Sequence, residues 1–217
     1  QFIQSNSVIS QSMKNVLITG VAGMIGSHLL DELLAKGYKI TGMDNFAYGK
    51  EDNIAHNLSN PNFRFIKADI TDYETLKKLG KEADAIIHLA AVKKISEKDI
   101  SMPTLMVNAK GTENVFEVAK VEGKKVLFAS TSDVYGMSPD LPLREDGDLL
   151  IGPSMIKRWS YAVSKLYGEQ LAFAYYHDHK VPVVIVSYFG GFSPRSSFAW
   201  SGGHVPATLV RATRPHR

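Results

Sequence analysis

The chain has 217 residues, the hydrophobic and charged proportions of an ordinary globular protein, and a formal net charge of +3. Three C-terminal arginines, Arg211, Arg214 and Arg217, account for that excess, so the composition argues against a general basic surface for a nucleic-acid partner. No apolar run reaches the roughly 18 residues of a membrane span, and the absence of cysteine excludes disulfides and favours a reducing compartment such as the cytoplasm.

Short β-branched runs alternate with helical patterns along the chain. Strands are predicted at 15–19, 38–43, 63–67, 84–89, 124–130 and 182–188, and helices at 24–36, 72–80, 100–121 and 159–179. Strands separated by helices of crossover length are typical of a parallel sheet covered on both faces. We therefore predict a doubly wound α/β fold of the Rossmann type, whose ligands gather at the carboxyl ends of the strands.

The first predicted strand runs directly into three glycines, Gly20, Gly23 and Gly26, and then into an amphipathic helix. Strand, glycine turn and helix N-terminus together form a cradle in which backbone N–H groups and the helix dipole face a pyrophosphate. The spacing G-x-x-G-x-x-G differs from the G-x-G-x-x-G of ordinary dehydrogenases. By itself it is also compatible with a purely structural turn.

A carboxylate follows the second predicted strand, at the point where a dinucleotide site needs one. Asp44 lies about 20 residues past the glycines and can accept hydrogen bonds from both hydroxyls of an adenosine ribose. It would repel a 2′-phosphate, and residues 45–47 contain no arginine to receive one. The sequence therefore favours NAD over NADP.

Two side chains on the last predicted helix, Tyr161 and Lys165, are the catalytic candidates. Positions i and i+4 share a helix face, so the phenol and the ammonium can point into one cleft. A tyrosine in water has a pKa of about 10, and a nearby cation is expected to lower the pKa of the phenol toward the working range of a base. An exposed helix face often carries the same pair without any function, but downstream of a dinucleotide cradle it indicates catalysis.

The fifth predicted strand ends in hydroxyl side chains. Ser130, Thr131 and Ser132 are followed by Asp133 and then by a turn. Hydroxyls at the carboxyl end of a strand can reach a substrate oxygen beside the Tyr161 phenol. The alternative is that they only cap the following turn.

These motifs, in this order over about residues 14–195, resemble the extended short-chain dehydrogenase/reductase family, the NAD-dependent epimerases and dehydratases that act on nucleotide sugars. The resemblance is carried by the glycine motif at 20–26, Asp44, Asp69-Ile70, 88–91, Asn108, 130–136, Tyr161-x-x-x-Lys165 and Tyr188-Phe189. No histidine, aspartate or glutamate spacing predicts a metal site.

The resemblance implies a role for each matching residue. Thr131 would hold the substrate hydroxyl, Tyr161 would act as the base and Lys165 would hold the nicotinamide ribose, with Ser132 and Asp133 beside them. Asp69 and Ile70 would bracket the adenine. The implied contacts to NAD are Gly20, Gly23, Met24, Ile25, Gly26, Asp44, Asn45, Asp69, Ile70, Leu89, Ala90, Ala91, Lys93, Asn108, Ser130, Tyr161, Lys165 and Tyr188.

The family chemistry implied by this resemblance begins with oxidation at sugar C4. The 4-keto sugar is then reduced to a 4-epimer, dehydrated, or, when C6 is a carboxylate, decarboxylated. Nucleotide-sugar uronic acid decarboxylases carry a glutamate where this chain has Asp133, and dehydratases carry an aspartate where it has Ser132. A 4-epimerase needs little beyond Thr131 and Tyr161 and is favoured here, with a uronic acid decarboxylase as the alternative.

Members of this family generally continue well beyond residue 195 into a smaller domain that grips the nucleotide. We therefore expect a disordered extension at 1–12, an NAD-binding domain at 13–195 and the start of a truncated substrate-binding region at 196–217. A truncated, non-catalytic NAD-binding protein is the third possibility. The expected partners are a nucleotide-diphosphate sugar and a second copy of the chain, paired through a four-helix bundle of helices 100–121 and 159–179.

Overall fold

The computed structural model describes residues 14–93 and 101–196 of the chain. Six strands lie in this part of the chain: β1 Asn15–Thr19, β2 Lys39–Asp44, β3 Phe63–Lys67, β4 Ala85–His88, β5 Lys125–Thr131 and β6 Val183–Tyr188. The α-helices are α1 Met24–Ala35, α2 Tyr73–Glu82, α3 Ser101–Glu122 and α4 Trp159–His179. These elements confirm the predicted strands and helices, with ends that differ by one or two residues. The predicted extension at 1–12 and residues 197–217 lie outside the described residues.

All six strands form one parallel sheet in the order β3-β2-β1-β4-β5-β6. The chain builds outward from β1 to one edge, then returns beside β1 with β4 and builds to the other edge. The prediction of a doubly wound α/β fold is confirmed. In such a sheet the reversal between β1 and β4 opens a crevice at the carboxyl ends of the strands, which is where ligands bind.

The core lies on both faces of the sheet because successive side chains of a strand point to opposite sides. Leu17 of β1 packs into the cluster that Phe116 of α3 and Phe128 of β5 form on one face. Its neighbours Val16 and Ile18 pack into the cluster on the other face, which α1 covers. This two-sided burial explains why the strands read as continuous apolar runs.

Helix α4 approaches β5 closely at a glycine. A Cβ built on Gly168 would meet the ring of Phe128, so only glycine lets the helix come this near to the strand. The close approach brings the first half of α4, which carries Tyr161 and Lys165, over the carboxyl end of β5. Within residues 14–93 and 101–196, no helix combines the length and the apolar character needed to cross a bilayer.

Candidate dinucleotide and catalytic site

The glycine turn after β1 is shaped by close backbone contacts. Gly20 has a φ of +76°, and a Cβ there would lie 2.7 Å from the backbone nitrogen of Ala90. A Cβ on Gly26 would run into the carbonyl oxygen of Gly20 and lie 2.8 Å from the Cα of Val21. Helix α1 begins at Met24, and no side chain caps its N-terminus. The turn therefore presents backbone N–H groups at a helix N-terminus, which is an anion-binding arrangement.

A cavity opens beside this turn, at the carboxyl ends of the central strands. Residues that the sequence predicted for cofactor binding line much of it: Gly20, Gly23, Asp44, Asn45, Asp69, Ile70, Leu89, Ala90 and Ala91. Sequence reasoning missed the rest of the lining, which consists of Met43, Ala47, Tyr48, Gly49, Ala68, Val92 and Val107. The cavity runs along the predicted adenosine half of the site and does not reach Tyr161.

Asp44 is fixed by backbone donors on both of its carboxylate oxygens. The N–H of Ala22 donates to Oδ2 over 3.0 Å, and the N–H of Phe46 donates to Oδ1 over 2.8 Å. Burial raises the pKa of Asp44 above its ordinary value, although these donors oppose the shift. Each carboxylate oxygen has a further lone pair, so Asp44 can still accept hydrogen bonds from two ribose hydroxyls.

Asp69 and Asn45 hold one another at the edge of the same cavity. The Asn45 amide donates to Asp69 Oδ2 over 2.6 Å, while the Thr71 N–H and hydroxyl both donate to Oδ1. Burial opposes ionisation, but these hydrogen bonds outweigh it and lower the pKa of Asp69. Asn45 thus orients a carboxylate that the sequence assigned to the adenine.

Asn108 of α3, a predicted cofactor contact, makes its hydrogen bonds in the structure to other groups of the protein. Its side chain is buried, accepts from the Val92 N–H over 2.7 Å, and donates to the Val92 carbonyl and to the Ser164 hydroxyl. Its oxygen and both N–H groups each have a partner within the protein, and the oxygen keeps one further lone pair. Asn108 therefore connects the loop after β4 to α4, and both of these segments carry predicted site residues.

His88, at the end of β4, is a packed core residue, as its apolar surroundings in the sequence suggest. Thr19 and Thr112 hydrogen-bond its two ring nitrogens over 2.8 and 3.1 Å. Burial, with a smaller contribution from Lys165, lowers the pKa of His88 to about 3, so the ring is neutral. Among the described residues, no group of three or more histidine, aspartate or glutamate side chains could hold a metal ion.

The predicted catalytic residues meet between the loop after β4, the end of β5 and the start of α4. The Lys93 ammonium lies 4.9 Å from the centre of the Tyr161 ring and 3.0 Å from Asp133 Oδ2. Thr131 is buried, and its hydroxyl accepts from the Asp133 N–H over 3.2 Å. Thr131 therefore does cap the turn that follows β5, through the residue whose carboxylate pairs with Lys93.

Lys165 is buried at 3% exposure, and its Nζ donates to the carbonyl oxygen of Ala129 over 2.7 Å. Burial lowers the pKa of Lys165 to about 7; Glu169 opposes this shift and Lys93 adds to it. The pKa of Tyr161 is raised, first by burial and then by Asp133. The sequence led us to expect a lowered pKa for this phenol, and in this arrangement the pKa is raised instead, with burial as the larger cause.

Two more of the predicted residues, Ser130 and Tyr188, lie at the ends of adjacent strands. The Ser130 hydroxyl donates to Oε1 of Glu169, a residue that sequence reasoning did not single out. Tyr188 of β6 is paired in register with Thr131, and burial raises its pKa. The signal for Glu169 was available, since it lies one helical turn beyond Lys165 on the same face.

A parallel doubly wound sheet, an uncapped glycine turn opening a helix, and a carboxylate after the second strand define a dinucleotide-binding domain of the Rossmann class. The Tyr161 and Lys165 pair on α4 is typical of a short-chain dehydrogenase/reductase. The chain belongs to the NAD-dependent epimerase/dehydratase family, whose sequence model matches residues 16–215.

Characterised proteins similar to this chain have related activities. A UDP-N-acetyl-alpha-D-glucosaminuronate decarboxylase from Bacillus cytotoxicus is 40% identical over 202 residues, covering 92% of this chain and 61% of the relative. The UDP-N-acetylglucosamine 4-epimerase of Methanobrevibacter ruminantium M1, solved with UDP-N-acetylmuramic acid, has a TM-score of 0.83 and 30% identity over 92% of this chain and 62% of that one.

A third similar protein was solved with the cofactor. The UDP-glucuronic acid 4-epimerase of Bacillus cereus, in complex with NAD, is 34% identical with a TM-score of 0.73 and covers 83% of this chain. The present chain spans 58% of that protein's length. It therefore spans about three fifths of each of these relatives.

Proposed function

We propose that this chain binds NAD along the crevice between β1 and β4 and acts on a nucleotide-diphosphate sugar at C4. The observation that carries the proposal is the cavity itself, where the glycine turn and Asp44 line one space at the carboxyl ends of the strands. The residues present fit the cofactor, because a Cβ at Gly20 or Gly26 would close the turn. When bound, NAD supplies hydride transfer to and from the sugar carbon.

The side chains at the end of β5 and on α4 would handle the proton of the same reaction. Tyr161 would take the proton of the C4 hydroxyl while Thr131 holds that oxygen. Burial keeps the phenol protonated, so its base form depends on nearby positive charge. Lys93 lies over the ring and Lys165 lies one helical turn away, and both would favour the phenolate.

We favour a reaction in which hydride returns to the opposite face of the C4 ketone. This reaction inverts C4, and the protein is then a 4-epimerase. Both of the similar solved structures described above are 4-epimerases. The Asp133 carboxylate lies 3.0 Å from the Lys93 ammonium, so a salt bridge occupies the position at which a dehydratase carries its acid. Epimerisation needs no acid at this position.

A uronic acid decarboxylase is the second candidate. The Bacillus cytotoxicus relative is a decarboxylase and is 40% identical to this chain. With a C6 carboxylate, the C4 ketone makes a β-keto acid, whose C5–C6 bond breaks to release carbon dioxide while C5 gains a proton. Lys93 is a cation beside the Tyr161 ring, where a sugar carboxylate could pair with it.

We also propose a homodimer that pairs α3 and α4 of each copy into a four-helix bundle. Apolar side chains stand exposed one turn apart on both helices: Met102 and Met106 on α3, and Val163 and Tyr167 on α4. Burying such stripes against a second copy would remove apolar surface from water. The cysteine-free composition supports a cytoplasmic location for this assembly.

Direct assay of the 217-residue chain tests these proposals. The chain is incubated with NAD and, separately, with UDP-glucose, UDP-N-acetylglucosamine, UDP-glucuronate and UDP-N-acetylglucosaminuronate, and the products are identified by NMR. A C4 epimer supports the first candidate, and a pentose product with release of carbon dioxide supports the second. Tight NAD binding with no converted sugar rejects both and leaves a non-catalytic NAD-binding protein.

A further inference from the structure

One face of α4 carries three ionisable side chains in successive turns. Tyr161, Lys165 and Glu169 follow one another at intervals of four residues and so lie along the same side of the helix. Tyr161 and Lys165 belong to the proposed catalytic group, and Glu169 has no role in it so far. The carboxylate of Glu169 accepts a hydrogen bond from the hydroxyl of Ser130.

The Ser130 contact joins Glu169 to the strand end that carries the catalytic hydroxyl. Ser130 directly precedes Thr131, and both are buried at the end of β5. The residue before Ser130, Ala129, provides the carbonyl to which Lys165 donates. Of three consecutive residues of β5, Ala129 accepts from the Lys165 ammonium, Ser130 donates to Glu169, and Thr131 carries the proposed catalytic hydroxyl.

The groups around Lys165 determine whether its side chain is protonated, and Glu169 is the carboxylate among them. Lys93, on the loop after β4, is a like charge, and His88 of β4 is a neutral ring. Tyr135, on the turn after β5, is a phenol whose own pKa burial and the carboxylates Glu145 and Glu169 raise. Among the described residues around Lys165, Glu169 supplies a negative charge that favours the protonated form of the amine.

We infer that Glu169 is a positioning residue of the proposed site: anchored by Ser130, its carboxylate keeps the buried Lys165 side chain protonated. The inference rests on the proposed function, in which a charged Lys165 holds the ribose and supports the phenolate. Burial alone pushes Lys165 toward its neutral form near physiological pH, and a neutral amine would do neither. Without the carboxylate, the site would lose its positive charge at a lower pH.

A charge-removing substitution of the same shape tests this inference. Glu169→Gln keeps an oxygen that can accept from Ser130 but removes the negative charge. The titration of Lys165 is followed by NMR on the 217-residue chain grown with isotope-labelled lysine, and Lys165→Arg assigns the signal. We expect Glu169→Gln to lower the titration midpoint of Lys165 by about one pH unit or more. The matched control is Asp178→Asn, which removes one exposed carboxylate from the far end of the same helix.

An unchanged Lys165 midpoint in a folded Glu169→Gln chain would overturn the inference. If this variant does not fold, the unsubstituted chain still decides: the Lys165 signal must show a second step at the pH where Glu169 titrates, and a single step overturns the inference. In an active enzyme, Glu169→Gln should also move the alkaline limb of the kcat/KM profile to lower pH. The NMR titration requires no turnover, so a shifted midpoint together with no converted sugar rejects the proposed function alone.

Discussion

The Nζ of Lys165 donates a 2.7 Å hydrogen bond to the carbonyl oxygen of Ala129, from a position that is 3% exposed. The lysine of the proposed catalytic pair is thus held by the strand on which α4 packs. Burying an ammonium with one carbonyl partner is costly, and this cost lowers the pKa of Lys165 to about 7. Whether Lys165 is protonated therefore depends on the charged groups around it as well as on its burial.

The first prediction concerns the phenol. Tyr161→Phe removes the proposed base without changing the packing of the ring, so turnover should fall by about 100-fold or more. NAD affinity should change by less than about twofold, since the ring would remain in place. Steady-state kinetics and calorimetric titration with NAD measure the two effects. Tyr167→Phe, an exposed tyrosine on the same helix, is the matched control, and undiminished turnover in Tyr161→Phe would exclude this residue as the base.

The second prediction concerns cofactor choice. Asp44→Asn leaves one oxygen where two now accept from Ala22 and Phe46, and it removes the charge that opposes a 2′-phosphate. NAD affinity should fall by about tenfold or more, and the preference for NAD over NADP should shrink. Equilibrium binding of both cofactors measures this. Asp52→Asn, at an exposed carboxylate on the following turn, should leave both affinities unchanged, and equal NAD binding by Asp44→Asn and the unsubstituted chain would refute the assignment.

The third prediction concerns the close approach at the start of α1. Gly26→Ala places a Cβ against the backbone of Gly20 and Val21, which has nowhere to move. We expect a loss of about 1–3 kcal/mol in the free energy of unfolding and a large loss of NAD affinity. Thermal unfolding and NAD titration check both. Gly190→Ala, where a Cβ meets nothing within 4 Å, is the control. A Gly26→Ala chain that unfolds at the same temperature and binds NAD as tightly as the unsubstituted chain would contradict the prediction.

The fourth prediction is a pH dependence of stability. Burial lowers the pKa of Lys165 from 10.5 to about 7, so between these values the unfolded chain binds a proton that the folded chain does not. The contribution of Lys165 to the free energy of unfolding therefore rises as the pH increases from about 7 to 10.5, and it is lowest below about pH 7. Lys165→Met should flatten the rise, which amounts to at most about 5 kcal/mol. Chemical denaturation at a series of pH values measures it, with exposed Lys157→Met as the control; parallel curves for Lys165→Met and the unsubstituted chain would contradict the prediction.

The fifth prediction concerns the proposed dimer. Replacing Met106 and Tyr167 with glutamate places charge on the exposed apolar stripes of α3 and α4, and a dimer formed there should dissociate to monomers. Analytical ultracentrifugation measures the mass. Phe173→Glu charges another exposed apolar residue on a different face of α4 and should leave the dimer intact. A monomeric unsubstituted chain, or a dimer that survives both substitutions, would reject this interface.

The sequence by itself determined the sheet, the glycine turn and the carboxylate after β2. These features are local, since apolar periodicity, glycines that permit close backbone approach and polar residues at strand ends all act over a few neighbouring positions. The order of the strands follows because parallel strands with helical crossovers have few ways to pack. Residues 14–93 and 101–196 therefore fold as the pattern predicts.

Only the tertiary structure decided the charges of the site. Lys165 and Tyr161 are one turn apart in any helix, but the pKa of each depends on how deeply α4 presses against β5, which the contact of Gly168 with Phe128 sets. Burial then raises the pKa of the phenol instead of lowering it. The hydrogen-bond partners of Ser130 and Asn108 likewise come from segments distant in the sequence. Desolvation and long-range hydrogen bonds are properties of the packed molecule, so no local pattern could reveal them.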